Sequence, residues 1–303
     1  MIKSPSPILE IQSRKIGSDY PTYFIADIAA NHDGDLGRAK DLIYLAAEAG
    51  ADAAKFQHFK AETIVSDLGF KTMGGQQSHQ ASWKKSVFEV YKDASVSLDW
   101  TAALIETCDN ANIAFFTSPY SIDIVEHIDP YVPAYKIASF ENTHLPLIKK
   151  VAATGKPMII STGMATIAEL DETVSSIREA GCKQFALLKC TSTYPAETEN
   201  SNVLTIPHMR ELFGCEIGLS DHTMGIGGAV AAVAHGATII EKHFTLCRED
   251  GGVDSAFSME PEEMKQLVIE TKRAWQSLGK VTYGSTEAEQ SSLKFRRSIY
   301  IAK

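Results

Sequence analysis

The chain has 303 residues, 44% of them hydrophobic and 22% charged, with a formal net charge of -9. Such a composition belongs to a soluble globular protein with one large α/β domain or two small ones, and the acidic balance excludes the basic surface that a nucleic-acid partner requires. No apolar run approaches the roughly 20 residues needed to span a membrane. The opening "MIKSPSPILEIQ" lacks the apolar stretch of a secretion signal. Five cysteines (108, 182, 190, 215, 247) lack CxxC spacing and read as reduced thiols, so a cytoplasmic location is expected.

Residues 1–20 contain "ILEIQSRKIG", a small hairpin expected to close the bottom of a barrel. Short β-rich runs then alternate with helical patterns. They are "YFIADIA" (23–29), "AAKFQ" (53–57), "AFFTSP" (114–119), "AYKIAS" (134–139), "PMIIST" (157–162), "FALLKCT" (185–191), "EIGLSD" (216–221) and "TIIEKHF" (238–244). Between them, "LGRAKDLIYLAAEAG", "WTAALIETCDNAN" and "IAELDETVSSIREAG" space their apolar residues near 3.6 and end in Gly or Asn, as helices do. Eight strands alternating with helices predict a parallel sheet, and eight is the number that closes a (β/α)8 TIM barrel. A doubly wound open sheet is the rival, but no GxGxxG follows the first strand. The expected division is a hairpin over 1–20 and an α/β barrel over 21–303, with "EEMKQLVIETKRAWQSLG" as the last barrel helix. About 55 residues separate the second and third strands, including "TMGGQQSHQASWKK" and a helix expected from Ser86 to Ala94. A βα connection this long is expected to cover the mouth or meet a neighbouring subunit.

Barrel active sites form at the C-terminal ends of the strands, and here those ends are polar. The first strand ends in Asp27 and "ANHDG"; the second carries Lys55 and Gln57, on one face by period-two alternation. Thr117 and Ser118 end the third, while Lys136, Ser139 and Glu141 follow on the fourth. Ser161 and Thr162 end the fifth, "KCTSTYP" the sixth; Ser220 and His222 share a face on the seventh, Glu241 and His243 on the eighth. A lone strand-end histidine is more often a hydrogen-bonded structural residue than a metal ligand. Two at one level of adjacent strands can converge on a point, which makes the two readings about equal. A lysine facing the helices would bury a charge at several kcal/mol unless paired; facing the mouth, Lys55 and Lys136 can meet an anion, with Ser139, Ser161 and Ser220 as hydroxyl donors. Each serine alone could merely cap a helix. "NHDG" reads equally as a helix start, Asp254 in "GGVDSAFS" as a solvated loop carboxylate, and Cys190 as core.

Together the motifs resemble the sialic acid synthase family, which condenses phosphoenolpyruvate with an N-acetylhexosamine. The resemblance rests on "ANHDGDLGRA", "AGADAAKFQ", "FFTSPY", "PAYKIASFE", "GKPMIISTGM", "LLKCTSTYPA", "GLSDHT", "IIEKHFT" and "FSMEPEEM", in the family's order over roughly residues 22–300. It implies that His222 and His243 bind a divalent metal, Mn2+ or Mg2+. It also implies that Lys55, Thr117, Lys136, Ser139, Ser161 and Ser220 hold the phosphate and carboxylate of phosphoenolpyruvate. Gln57, Glu141, Tyr194 and Asp254 match positions near the sugar or the reacting carbons, with Glu141 expected to move protons. Three positions depart from the family: Asp27 stands where Glu is common, "ASFE" (138–141) replaces a Gly-Ser-Gly-Glu sequence, and Ser192 replaces an Asn that contacts phosphoenolpyruvate. "ASFE" is a form familiar among pseudaminic acid synthases. Family members usually continue into a small antifreeze-like domain, expected to be absent here because the sequence stops at Lys303; a homodimer is expected.

The chemistry so implied is attack of phosphoenolpyruvate C3 on the sugar aldehyde, capture of C2 by water, and expulsion of phosphate. The sugar is N-acetylmannosamine or a relative, and a pseudaminic or legionaminic acid synthase is the alternative within the family. Two other classes compete. A Schiff-base aldolase would need one desolvated lysine, for which Lys136 or Lys189 could stand. A non-catalytic sugar-binding subunit would have no need of a metal pair and phosphate-site lysines.

Overall fold

The computed structural model describes residues 9–72 and 85–296. The first eight residues, most of "TMGGQQSHQASWKK", and all but the first residue of "RRSIYIAK" therefore lie outside the described residues. The N-terminal hairpin pairs β1 (Leu9–Ile11) antiparallel with β2 (Arg14–Ile16). Eight parallel strands come after it: β3 (Tyr23–Asp27), β4 (Ala53–His58), β5 (Ala114–Pro119), β6 (Tyr135–Ile137), β7 (Met158–Ser161), β8 (Phe185–Cys190), β9 (Glu216–Asp221) and β10 (Ile239–His243). All eight expected strands are present, each within two residues of the expected ends. Their order is β5-β4-β3-β10-β9-β8-β7-β6, hydrogen-bonded between neighbours, and β5 and β6 lie side by side to close the circle without a ladder.

Period-two alternation divides the strand residues between two cores. Phe24, Ala54, Phe56, Phe115, Tyr135, Ile137, Ile160, Leu187, Ile217 and Ile240 face outward and pack beneath the helices. Tyr23, Ile25, Ala53, Phe116, Ile159, Ala186, Leu188 and Ile239 face inward and fill the lower barrel, sealed by Leu9, Ile11 and Ile16 of the hairpin. That plug is what makes the interior a packed layer below and a cavity above, as barrels of this size require. Gly218 serves the packing directly: a Cβ there would sit 2.3 Å from the Ile239 carbonyl oxygen.

The helices match their sequence signals. Helix α1 (Leu36–Glu48) starts at Asp35, whose carboxylate accepts from Arg38 N, so the cap follows "NHDG" and is not one of its residues. The long excursion supplies α2 (Ala61–Ile64), α3 (Asp67–Thr72) and α4 (Val87–Ala94), the last opened by a Ser86–Glu89 capping box. Helix α5 (Thr101–Ala111) ends on Asn112 in the left-handed conformation, φ 56°. The remaining layer is α6 (Ile122–Ile128), α7 (Leu145–Ala152), α8 (Ile167–Glu179), α9 (Thr205–Phe213), α10 (Gly227–Ala234) and α11 (Pro261–Leu278). Beyond α11, residues 279–296 are exposed. No helix among the described residues is long and apolar enough to cross a membrane.

Candidate active site

The inward residues at the upper ends of the strands meet in a cavity of about 730 Å³. Its floor is a buried charge cluster. Lys55 Nζ lies 2.7 Å from Asp27 Oδ2 and 3.3 Å from Glu241 Oε1, and Lys136 Nζ lies 3.3 Å from the same Glu241 oxygen. Lys136 also donates to Ser161 Oγ (2.7 Å) and the Ile137 carbonyl (3.0 Å), while Ser220 donates to Glu241 Oε1 (3.3 Å). The second oxygens of Asp27 and Glu241 are buried without a partner. Two ammonium and two carboxylate groups thus balance each other, with acceptor capacity left over.

Burial pulls Lys136 below the ordinary lysine value although Glu241 opposes it. Lys55 is equally buried, but Asp27 and Glu241 outweigh burial and hold its pKa above the ordinary value. Burial raises Asp27 against the pull of Lys55; it also raises Glu241, which Lys136 and Lys55 more than reverse. The lysine most readily made neutral is therefore Lys136, which is nevertheless engaged by three oxygens.

His222 and His243 stand at the rim of this cluster with ring centres 5.4 Å apart. His222 Nδ1 lies 2.9 Å from the Thr191 carbonyl, which can only accept, so Nδ1 carries a proton and Nε2 offers a lone pair whenever the ring is neutral. Burial lowers the pKa of this ring, and Cys190 with the Thr191 carbonyl more than offsets that. His243 Nε2 is 3.6 Å from Asp27 Oδ2, and its Nδ1 is buried without a partner. Burial, reinforced by the charge of His222 and the lysines, holds His243 well below the ordinary histidine value, hence neutral. Among the described residues no group of three or more His, Cys, Asp or Glu side chains forms a complete metal cage. The donors do fit an ion held partly by protein: one imidazole with its tautomer fixed, another with an orphaned buried nitrogen, both lining the cavity from which further ligand oxygens can come. Tyr194 packs on both rings, at 4.3 Å from His222 and 6.0 Å from His243, and on Phe257 at 5.2 Å.

Around the floor, Ser139 and Ser192 are hydroxyl partners at 2.9 Å. They are brought together by the turn after β7, where Gly163 has φ +49° and a Cβ would lie 2.7 Å from that of Ser139. Gln57 accepts from Tyr120 Oη at 3.3 Å. Glu141 follows β6 in a short 3-10 turn (Ser139–Glu141); one of its oxygens is buried without a partner, and burial pushes its carboxyl up to about 7. Asp254 is not the solvated loop carboxylate its sequence context implied. It is half-buried in the cavity wall, its Oδ2 accepts from Ala30 N at 3.3 Å, and burial raises it to about 6.

Thirteen of the expected site residues line the one cavity: Asp27, Lys55, Gln57, Lys136, Ser139, Glu141, Ser161, Ser192, Tyr194, Ser220, His222, His243 and Asp254. Thr117 does not. Its register partner is outward-facing Phe56, and its hydroxyl lies 2.7 Å from His58 Nδ1. The residue of β5 on the face of Lys55 and Gln57 is Ser118, opposite Gln57, with a buried hydroxyl lacking a partner. Lys189 points away as well, donating to the Cys190 carbonyl and Thr191 Oγ1. Cys190 is buried as a core residue would be, but it faces inward, 4.0 Å from His222 Nδ1; burial pushes its thiol up, and His222, Ser192 and Lys136 together more than offset that, to about 7.

Sequence reading did not assign roles to Glu241, Tyr120 or the cavity's apolar wall. Glu241 was visible two residues before His243 on the same strand face. The wall, by contrast, gathers Phe59, Ile64, Tyr91, Ala94, Tyr120 and Val253 from three loops, and no spacing announces it.

Known proteins resemble this chain in sequence and fold. Residues 42–283 match the NeuB family. Pseudaminic acid synthase of Campylobacter jejuni is 37% identical over 300 residues, covering 97% of this chain and 85% of that protein. N,N'-diacetyllegionaminic acid synthase of the same organism is 35% identical over 285 residues, covering 93% and 85%. The solved N-acetylneuraminic acid (sialic acid) synthetase of Leptospira borgpetersenii serovar Hardjo-bovis, in complex with citrate, matches with a TM-score of 0.83 and 32% identity over 96% of each chain. The chain belongs to the NeuB family and is an enzyme of the sialic acid synthase class.

Proposed function

We propose that the enzyme condenses phosphoenolpyruvate with the open-chain form of an N-acylated hexose, releasing phosphate and a nonulosonic acid. The observation that carries this is the convergence of Lys55 and Lys136 with two strand-end histidines on the floor of one cavity. Phosphoenolpyruvate presents a phosphate and a carboxylate close together. The two lysines and the hydroxyls of Ser139, Ser161, Ser192 and Ser220 are point charges and donors suited to both, fixed before the substrate arrives. A divalent ion, Mn2+ or Mg2+, held by His222 and His243 would polarise the acceptor aldehyde as a Lewis acid.

In the reaction, the C2–C3 double-bond pair of phosphoenolpyruvate forms the new bond from C3 to the aldehyde carbon. The carbonyl π pair moves onto the aldehyde oxygen, which takes up a proton to become a hydroxyl, and a water adds its oxygen to C2. In the resulting C2 hemiketal phosphate the C–O bond to phosphate then breaks, inorganic phosphate leaving with the electron pair as the C2 hydroxyl gives up its proton and becomes the ketone. Lys55 and Lys136 stay beside the phosphate oxygens as charge moves onto them. Glu141, poised near 7 and offering a buried unpaired oxygen, takes the proton from the attacking water. The lysines make contacts that strengthen as phosphate departs, which is where binding energy accelerates a reaction.

The acceptor reads from the opposite side of the cavity. The wall of Phe59, Ile64, Tyr91, Ala94, Tyr120 and Val253 offers apolar surface where a polyhydroxylated chain would lose hydrogen bonds to water. It favours an acceptor with acyl methyls or a deoxygenated end over N-acetylmannosamine, consistent with relatives named for pseudaminic and N,N'-diacetyllegionaminic acids. The test is incubation with phosphoenolpyruvate, Mn2+ and a panel of mono- and diacetamido hexoses with and without a 6-hydroxyl, reading product mass. The expected product has the mass of acceptor plus phosphoenolpyruvate plus water minus phosphoric acid, formed fastest from a 6-deoxy diacetamido sugar. Phosphate release without any such product would sink the proposal.

A further inference from the structure

We infer that Asp221 and Lys242, which lie outside the cavity, are positioning residues that fix the mutual height of His222 and His243. The inference deepens the proposed metal site and rests on it for its functional consequence, though not for its geometry.

Each of these residues is the chain neighbour of one histidine, and period-two alternation turns them to the opposite face of the sheet. They are register partners across the β9–β10 ladder. Lys242 Nζ lies 2.8 Å from Asp221 Oδ2, with both side chains 2% exposed. The ammonium donates as well to the Thr223 carbonyl at 2.5 Å, and the second carboxylate oxygen of Asp221 accepts from Thr223 N (2.9 Å) and Thr223 Oγ1 (2.8 Å). The backbone on both sides of His222 is therefore held by one network, anchored through Lys242 to the residue before His243. The close packing continues behind it: a Cβ on Gly228 at the start of α10 would stand 3.3 Å from Thr223 Oγ1.

The network also reaches the aromatic lid on the two rings. The His222 carbonyl accepts from Ala196 N at 2.9 Å, and Ala196 forms a bridge with Thr223. That connection ties the chain just after Tyr194, which packs on both imidazoles, to the same segment.

A buried ion pair is a poor way to gain stability, because desolvation cancels most of the attraction; an apolar pair of equal volume often does as well. What such a pair supplies is geometric uniqueness: only one register satisfies every donor and acceptor at once. Strands β9 and β10 need that uniqueness, since a small slide between them would separate two nitrogens that must meet one ion. Groups behind metal-ligating histidines commonly alter affinity about 10–100-fold when removed.

The test compares Lys242→Met with the double variant Asp221→Leu/Lys242→Met, using thermal melts, histidine-labelled NMR and Mn2+ affinity by electron paramagnetic resonance. The ring resonances are assigned with His222→Ala and His243→Ala. Lys242→Met leaves a buried carboxylate unpaired and should melt lower; the double variant removes that penalty and should recover much of the stability. If the pair positions the histidines, the stable double variant still shows shifted His222 and His243 ring resonances and Mn2+ affinity weakened about 10–100-fold, with phosphoenolpyruvate affinity nearly unchanged. Unshifted ring resonances in the stable double variant would overturn the inference. Shifted rings in a protein whose Mn2+ affinity is untouched by His222→Ala and His243→Ala would leave the positioning in place and refute the metal reading instead.

Discussion

Glu241 is the acceptor shared by both floor lysines, and Glu241→Gln is the most direct perturbation of the charge cluster. The side chains of Lys55, Lys136 and Glu241 are 3%, 1% and 5% exposed, so little water is available to replace the lost carboxylate. A surface pair would cost about 0–1 kcal/mol; removing one partner of a buried pair costs about 3–5 kcal/mol. At about 2–4 °C per kcal/mol for a chain of this size, the melting temperature should fall by about 6–20 °C. The loss has a pH signature. Burial already depresses Lys136, and removing Glu241 depresses it further. Between that lowered folded value and the ordinary 10.5, the unfolded chain binds more protons than the folded one, so stability rises with pH. The deficit of the variant should therefore be larger at about pH 6 than at about pH 9. Saturating phosphoenolpyruvate, whose anionic groups replace the missing charge, should raise the melting temperature of the variant more than that of the unaltered enzyme. Differential scanning calorimetry at both pH values, with and without ligand, reads all three effects. A variant that melts within about 2 °C of the parent at both pH values would refute the buried-cluster reasoning.

Three further outcomes are expected. Replacing His222 or His243 by Ala should abolish Mn2+ binding by isothermal calorimetry and reduce turnover at least about 100-fold, with the circular dichroism spectrum unchanged, because both rings sit above the barrel core. Gly163→Ala places a Cβ 2.7 Å from that of Ser139 on backbone with φ +49°; phosphoenolpyruvate affinity should fall about 10-fold or more as the Ser139–Ser192 pair is displaced, measured by titration calorimetry. Glu141→Gln should remove an ionisation near pH 7 from the kcat profile. Because burial raises this carboxyl from 4.5 to about 7, the folded chain holds the proton longer than the unfolded one, and the parent should lose stability as pH rises through that interval while the variant does not.

The barrel was legible because its signals are local. Period two places Lys55 with Gln57 and Glu241 with His243, and the eight runs alternate with helices whose ends carry Gly or Asn. The floor of the cavity follows from those alternations, so most of its residues could be named in advance. Thr117 shows where this fails. Adjacent hydroxyl residues end β5, and only the pairing of Gln57 with Ser118 decides which faces inward. Asp254 and Tyr120 fail for another reason: their surroundings come from loops distant in sequence, and burial by such loops turns an ordinary surface carboxylate into one raised to about 6. The buried pair behind the histidines is hidden more simply, since Asp221 and Lys242 look like the polar half of an alternating edge strand until both faces are known to be covered.

The most direct test of the proposed chemistry uses phosphoenolpyruvate carrying oxygen-18 in the bridging position between C2 and phosphorus. With Mn2+ and an accepted hexose, the released phosphate should carry the label and the nonulosonic acid should not, because water supplies the C2 oxygen and the C–O bond breaks. Label retained in the sugar product would mean that the P–O bond breaks instead, and the lysine cluster would then serve a phosphoryl transfer rather than the condensation proposed.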